Sequence, residues 1–151
     1  MRIIVDDLSG PEIAHLLTEH LDDMRAITPL ESKHALDLDG LRTPDITFWS
    51  VLDDNTPVAC GAIKRLDDTH AELKSMRTAA THRGRGIATR LLDHILTESR
   101  RMGFTRLSLE TGSADFFTPA RTLYERAGFT YCEPFADYHP DPHSVFLTKT
   151  L

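Results

Sequence analysis

The run Arg83-Gly84-Arg85-Gly86-Ile87-Ala88 constrains this chain more than any other stretch, because it must turn a strand into a helix. Before it, AELKSMRT (71–78) alternates in the half-buried pattern of a strand. After it, Ile87, Leu91, Leu92, Ile95, Leu96 and Met102 recur at close to helical spacing. The first turn of that helix contains no Ser, Asp or Asn to satisfy its free N–H groups. Small residues leave those groups open to an outside acceptor, and the helix dipole favours an anion there. Arg77, Arg83, Arg85 and Arg90 add positive charge, and no acidic residue occurs from 77 to 90. The segment reads as a turn for a diphosphate. A tight strand-to-helix connection with solvated arginines would use the same residues. The two standard nucleotide loops do not fit: the chain has no Gly-x4-Gly-Lys-Ser/Thr, and Thr89 stands where GxGxxG needs its third glycine.

Arg83-x-x-Gly86-x-Ala88 resembles the (Q/R)-x-x-G-x-(G/A) acetyl-CoA signature of the GNAT family of N-acetyltransferases. Downstream, Ala120-Arg121-Thr122-Leu123-Tyr124-Glu125-Arg126-Ala127-Gly128-Phe129 is similar to the family's A-x-x-L-Y-E-x-x-G-F segment, and upstream Glu72 sits on the preceding strand, as in many members. The resemblance covers about residues 46 to 151 and weakens toward the N-terminus; it is to the small, single-domain bacterial form of the family. It implies an α/β (α+β) fold with a mixed, mostly antiparallel sheet flanked by helices. It also implies that the fourth and fifth strands splay apart to admit the pantetheine arm of the donor.

With 151 residues, 40% hydrophobic and 26% charged, the chain is expected to form one domain with a substantial core. No apolar run approaches the ~18 residues that span a bilayer, and MRIIVDDLSG lacks the pattern of a signal peptide. Cys60 and Cys132 are expected as reduced thiols in a cytoplasmic protein. A net charge of −6 argues against general nucleic-acid binding. The charge is uneven: residues 1–68 carry 14 acidic and 6 basic side chains, residues 69–151 carry 9 and 11. The basic half suits an anionic donor and the acidic half a cationic amine, although solvated surface would give the same counts. A homodimer is compatible with this composition.

The expected element order is β-α-α-β-β-β-α-β-α-β-β. Ile3-Ile4-Val5 makes a first strand. Gly10-Pro11 opens a helix with Ile13, Leu16, Leu17 and Leu21 on one stripe, broken by Thr28-Pro29; residues 30–39 form a second, short helix. ITFWSVL (46–52), VACGAIKRL (58–66) and 71–78 are linked by short polar turns and predict an antiparallel meander. The long helix stops at Gly103, and RLSLETG (106–112) is the next strand. Thr118 is placed as N-cap with Pro119 at the first helical position, and Gly128 closes that helix. FTYCEPF (129–135) and SVFLTKTL (144–151) end the sheet.

The resemblance implies acyl transfer from acetyl-CoA, as co-substrate, to the primary amine of a small molecule. Transfer from a thioester to an amine requires a held diphosphate, a deprotonated amine, a stabilised oxyanion and a protonated leaving thiolate. Gly84, Arg85, Gly86, Ile87, Ala88 and Thr89 would present backbone N–H groups, with Arg83 and Arg85 adding charge-assisted contacts. Met76, Arg77 and Thr78 would bond the pantetheine amides through their backbone. Tyr124 is the candidate acid, since a phenol of pKa about 10 is protonated at neutral pH; packing beside Leu123 and Phe129 is the plain alternative. Glu72 is the candidate base, direct or through water, against a reading as ordinary strand surface.

One position departs from the family. Phe117 stands where many members carry an Asn that contacts the donor, so Thr118 or Ser113 would have to supply that contact. For the acceptor, the resemblance points to Arg25, Ser32, His34, Asp37, Phe48, Thr111, Ser113, Phe135, Asp137, Tyr138 and His139. The eight histidines include no HExxH or zinc-spaced Cys/His cluster, and His139 and His143 read as a solvated loop, so no metal is expected. No Gly-x-Ser-x-Gly elbow marks a serine hydrolase. A non-catalytic acyl-CoA-binding regulatory module is the alternative function.

Overall fold

The computed structural model describes residues 1–27 and 38–151 and builds them around one seven-stranded sheet. β1 (Arg2–Val5), β2 (Ile46–Asp53), β3 (Thr56–Arg65) and β4 (His70–Thr78) run antiparallel in chain order. β5 (Arg106–Gly112) pairs β4 in parallel, and β7 (Ser144–Thr150) with β6 (Thr130–Cys132) completes the order β1-β2-β3-β4-β5-β7-β6. The helices are α1 (Pro11–Ile27), α2 (Ile87–Arg101) and α3 (Thr118–Arg126). The mixed, mostly antiparallel sheet matches expectation. The second helix expected at 30–39 lies largely outside the described residues. Among the described residues no helix is long and apolar enough to cross a membrane.

Helices cover both faces of the sheet. On one face α2 inserts Leu91, Leu92 and Ile95 against Trp49, Ile63, Leu73, Leu107 and Leu109, with Tyr124 and Phe129 of the α3 region beside them. Each fully buried aliphatic side chain there stabilises the fold by about 1.5–3 kcal/mol relative to exposure. On the other face α1 packs Ile13, Leu16 and Leu17 against Phe48, Cys60 and Ala62. Double coverage explains why β2, whose alternation suggests one wet face, is buried from Phe48 through Leu52. Phe48 therefore belongs to the α1-side core, not to an acceptor pocket.

Two element ends differ from the sequence reading. Thr118 is the first residue of α3 and not its cap. A 3-10 turn at Asp115–Phe117 runs straight into the helix, its Asp115 carbonyl taking the Thr118 N–H. β6 covers only three residues because Pro134 cannot donate to a ladder. Gly128 does close α3 in the left-handed region at φ 94°, with the Phe129 N–H donating to the Tyr124 carbonyl.

The parallel pairing of β4 and β5 is brief. His70 to Leu73 face Arg106 to Leu109, and past that point the strands share no register although both continue. A bulge pushes β4 outward just there: Ser75 takes φ 59°, and two residues of β4 oppose Gly61. Gly61 opposite leaves room for the Met76 side chain, whose sulfur would lie 2.5 Å from a Cβ there. The Cys60 thiol donates to the Ser75 carbonyl at 3.3 Å, holding the bulge.

Candidate active site

The gap between β4 and β5 widens into a cleft of about 950 Å3. One end is the turn before α2. Gly84 and Gly86 there adopt φ 79° and 75°, and Gly86 caps α2 with no side-chain hydrogen bond. No acidic residue stands in the first turn. A Cβ on either glycine would meet nothing within 4 Å, so glycine serves the backbone conformation, and the space beside the helix start is open. Uncapped amides of a 15-residue helix at the mouth of a cleft fit a diphosphate. The turn is pinned by His82, whose Nε2 lies 2.9 Å from Asp53 Oδ2 in β2 while its Nδ1 meets the Thr81 hydroxyl at 2.7 Å.

Met76, Arg77, Thr78, Arg83, Gly84, Gly86, Ile87, Ala88, Thr89 and Thr118 all line this cleft, together with Glu72 and Tyr124. Arg85 is exposed beside it. The Arg77 side chain does not add positive charge to the turn. Strand alternation sends it to the α1 face, where it is 8% exposed and paired with Glu19 Oε1 at 2.7 Å and Asp23 Oδ2 at 2.6 Å. Arg77 therefore borders the cleft with its charge already matched. Thr118 turns its hydroxyl toward Arg121, which donates to it at 3.0 Å. Phe117 fills the place of the absent Asn by packing on Gly112, where a Cβ would come within 2.1 Å of the ring.

At the other end stands Tyr124. Its ring packs edge-on to Phe129 at 5.8 Å, and burial, with the nearby Glu110 charge, pushes its phenol well above the ordinary tyrosine range. Packing and cleft lining coexist in this one side chain. Its hydroxyl has no hydrogen-bond partner among the described residues. Glu72 is 4% exposed and accepts from the Tyr138 hydroxyl at 2.5 Å and from Lys74 Nζ at 3.2 Å.

Lys74, Glu110 and His20 are among the lining residues that escaped the sequence reading. Lys74 follows Glu72 on the same face of β4. Glu110 on β5 is pushed up to about 7 by burial, opposed by Ser144 and Lys74. His20 of α1 is pulled down to about 4 by burial and Arg77, so it is neutral at physiological pH. For the two strand residues the signal was a period of two: His70, Glu72 and Lys74 on β4, and Ser108 and Glu110 on β5, alternate with Ala71, Leu73 and Leu109.

Of the acceptor candidates, Thr111 and Tyr138 line the cleft. Phe135 packs on Tyr138 and Phe146, and Ser113 donates to the Pro142 carbonyl at 2.7 Å. Asp137 and His139 are exposed. The Arg25 side chain, Ser32, His34 and Asp37 lie outside the described residues. Among those described, no group of three or more His, Cys, Asp or Glu is placed to hold a metal.

The sequence model of the Acetyltransferase (GNAT) family matches residues 12–129. The chain belongs to this family. It is 54% identical over 151 residues, the full length of both chains, to YsnE of Bacillus subtilis, an uncharacterized N-acetyltransferase. Among solved structures it is similar to a candidate acyl-CoA N-acyltransferase of Klebsiella pneumoniae, at TM-score 0.80 and 27% identity over 99% of this chain and 97% of that one. The fold is also shared with a GNAT acetyltransferase of Elizabethkingia anophelis solved with acetyl-CoA bound, at TM-score 0.69 and 16% identity over 99% and 97% of the two chains. This GNAT protein is an N-acetyltransferase.

Proposed function

We propose that the protein moves an acetyl group from acetyl-CoA to the primary amine of a small molecule, by direct attack within a ternary complex. The observation that carries this reading is the continuity of one cleft, from the uncapped start of α2 to the Tyr124 hydroxyl and the two carboxylates Glu72 and Glu110. Residues 84–89 would hold the diphosphate, and Arg83 the remaining charge. The edge of β4 past Leu73, released from β5, would hold the pantetheine amides. Tyr124 faces the far end with an unengaged hydroxyl and would protonate the departing sulfur. One of the two carboxylates would take the proton from the amine.

Direct attack is favoured over an acetyl-enzyme because no thiolate is at hand. Cys60 is buried in the sheet with its thiol pushed up to about 12, and Cys132 is not among the lining residues. Mixing the protein with acetyl-CoA and a panel of small primary amines should release free thiol in step with an N-acetylated product seen by mass spectrometry. Tight binding of acetyl-CoA with no thiol release above buffer for any amine would turn the reading toward a binding module.

A further inference from the structure

Glu72 and Glu110 occupy the same cleft in unlike circumstances. Glu72 Oε2 accepts from both Tyr138 and Lys74, and Lys74 also donates to the Tyr138 hydroxyl at 3.2 Å. The three groups close on one another, with the Glu72 charge matched by Lys74 and both side chains at most 10% exposed. The Glu72 carboxylate thus already has its cation and its hydrogen-bond donors within the protein. Glu110 stands one strand away, just past the last β4–β5 pair at Leu73 and Leu109. It has no cation within ion-pair distance among the described residues. The groups around it are Glu72 and Lys74 from β4, Tyr124 from α3, Tyr138 and Asp141 from the segment between β6 and β7, and Ser144 from β7.

We propose that Glu110 removes the proton from the acceptor amine, and that Glu72, with Lys74 and Tyr138, is a positioning triad for the wall beside it. This assignment rests on the acetyl-transfer reading above. The acceptor enters as an ammonium ion, and one N–H proton passes to a Glu110 oxygen, leaving the nitrogen lone pair free. The nitrogen bonds to the thioester carbonyl carbon while the carbonyl π electrons move to oxygen. As the C=O bond re-forms, the C–S bond breaks and the sulfur takes the Tyr124 proton. The nitrogen loses its second proton through water to the phenolate, and Glu110 returns its own to solvent. Ammonium and acetyl thioester thus become amide, thiol and one free proton. An ammonium ion would also give Glu110 an ion-pair partner, which none of the described residues does.

Burial of the Glu110 carboxyl raises it to about 7, where a base and its conjugate acid exchange readily near neutral pH. With acetyl-CoA saturating, kcat/KM for the acceptor should therefore fall on an acid limb centred near pH 7, since a protonated Glu110 cannot accept. The test compares the pH profiles of kcat and of kcat/KM for the acceptor in wild type, Glu110→Gln, Glu110→Asp and Glu72→Gln, the limb being read from kcat/KM, with acetyl-CoA affinity followed by calorimetry. Glu110→Gln should lose about 10²–10⁴-fold in kcat together with the acid limb, and keep its acetyl-CoA affinity. Glu110→Asp should keep the limb at reduced rate. Glu72→Gln should keep the limb and raise the acceptor KM. A limb that survives in Glu110→Gln and vanishes in Glu72→Gln would move the base to Glu72 and overturn the assignment alone. No turnover in wild type would remove the acetyl-transfer reading, and the role of Glu110 with it.

Discussion

Gly86→Glu should abolish acetyl-CoA binding while the chain stays folded. The start of α2 offers amides that no side chain of the protein satisfies, and the substitution puts a carboxylate where the donor diphosphate would lie. An αL residue other than glycine costs about 1–2 kcal/mol, well within the ~5–15 kcal/mol that holds an ordinary domain together. The new Cβ meets no atom within 4 Å, so no clash adds to that cost. Gly86→Ala separates the two effects, because it carries the same backbone strain without the charge and should retain weakened binding. Calorimetry that shows wild-type affinity in Gly86→Glu would place the donor elsewhere.

Tyr124→Phe should lower kcat by about 10²–10⁴-fold, the usual contribution of a general acid, with little change in acetyl-CoA affinity or thermal stability. The ring contact with Phe129 is kept, and the lost hydroxyl leaves no stranded partner among the described residues. Because burial and Glu110 hold the phenol protonated through the neutral range, its donor is present at every working pH. Full turnover in the variant would make Tyr124 a core residue and leave water as the acid.

The elements that position the site were legible in local chemistry. Gly84, Gly86, Gly128 and Pro119 mark turns and helix ends whose backbone needs are local, and the α2 stripe needs only one helix to be read. What crosses between elements was not legible. Arg77 is close in sequence to the cofactor turn, yet it is committed to Glu19 and Asp23, 58 and 54 residues away. Glu72, Lys74, Glu110 and Tyr138 become neighbours only through the parallel register of β4 with β5 and the return of the segment before β7. The polar residues at every second position of β4 and β5 were visible, but no local rule says that two such rows share a cleft.

The most direct test is the structure of the complex with acetyl-CoA, read at two places along the cleft. The diphosphate should accept hydrogen bonds from amides in 84–89, and the thioester sulfur should lie within hydrogen-bond reach of the Tyr124 hydroxyl. A diphosphate bound away from the start of α2, or a sulfur turned away from Tyr124, would contradict the account.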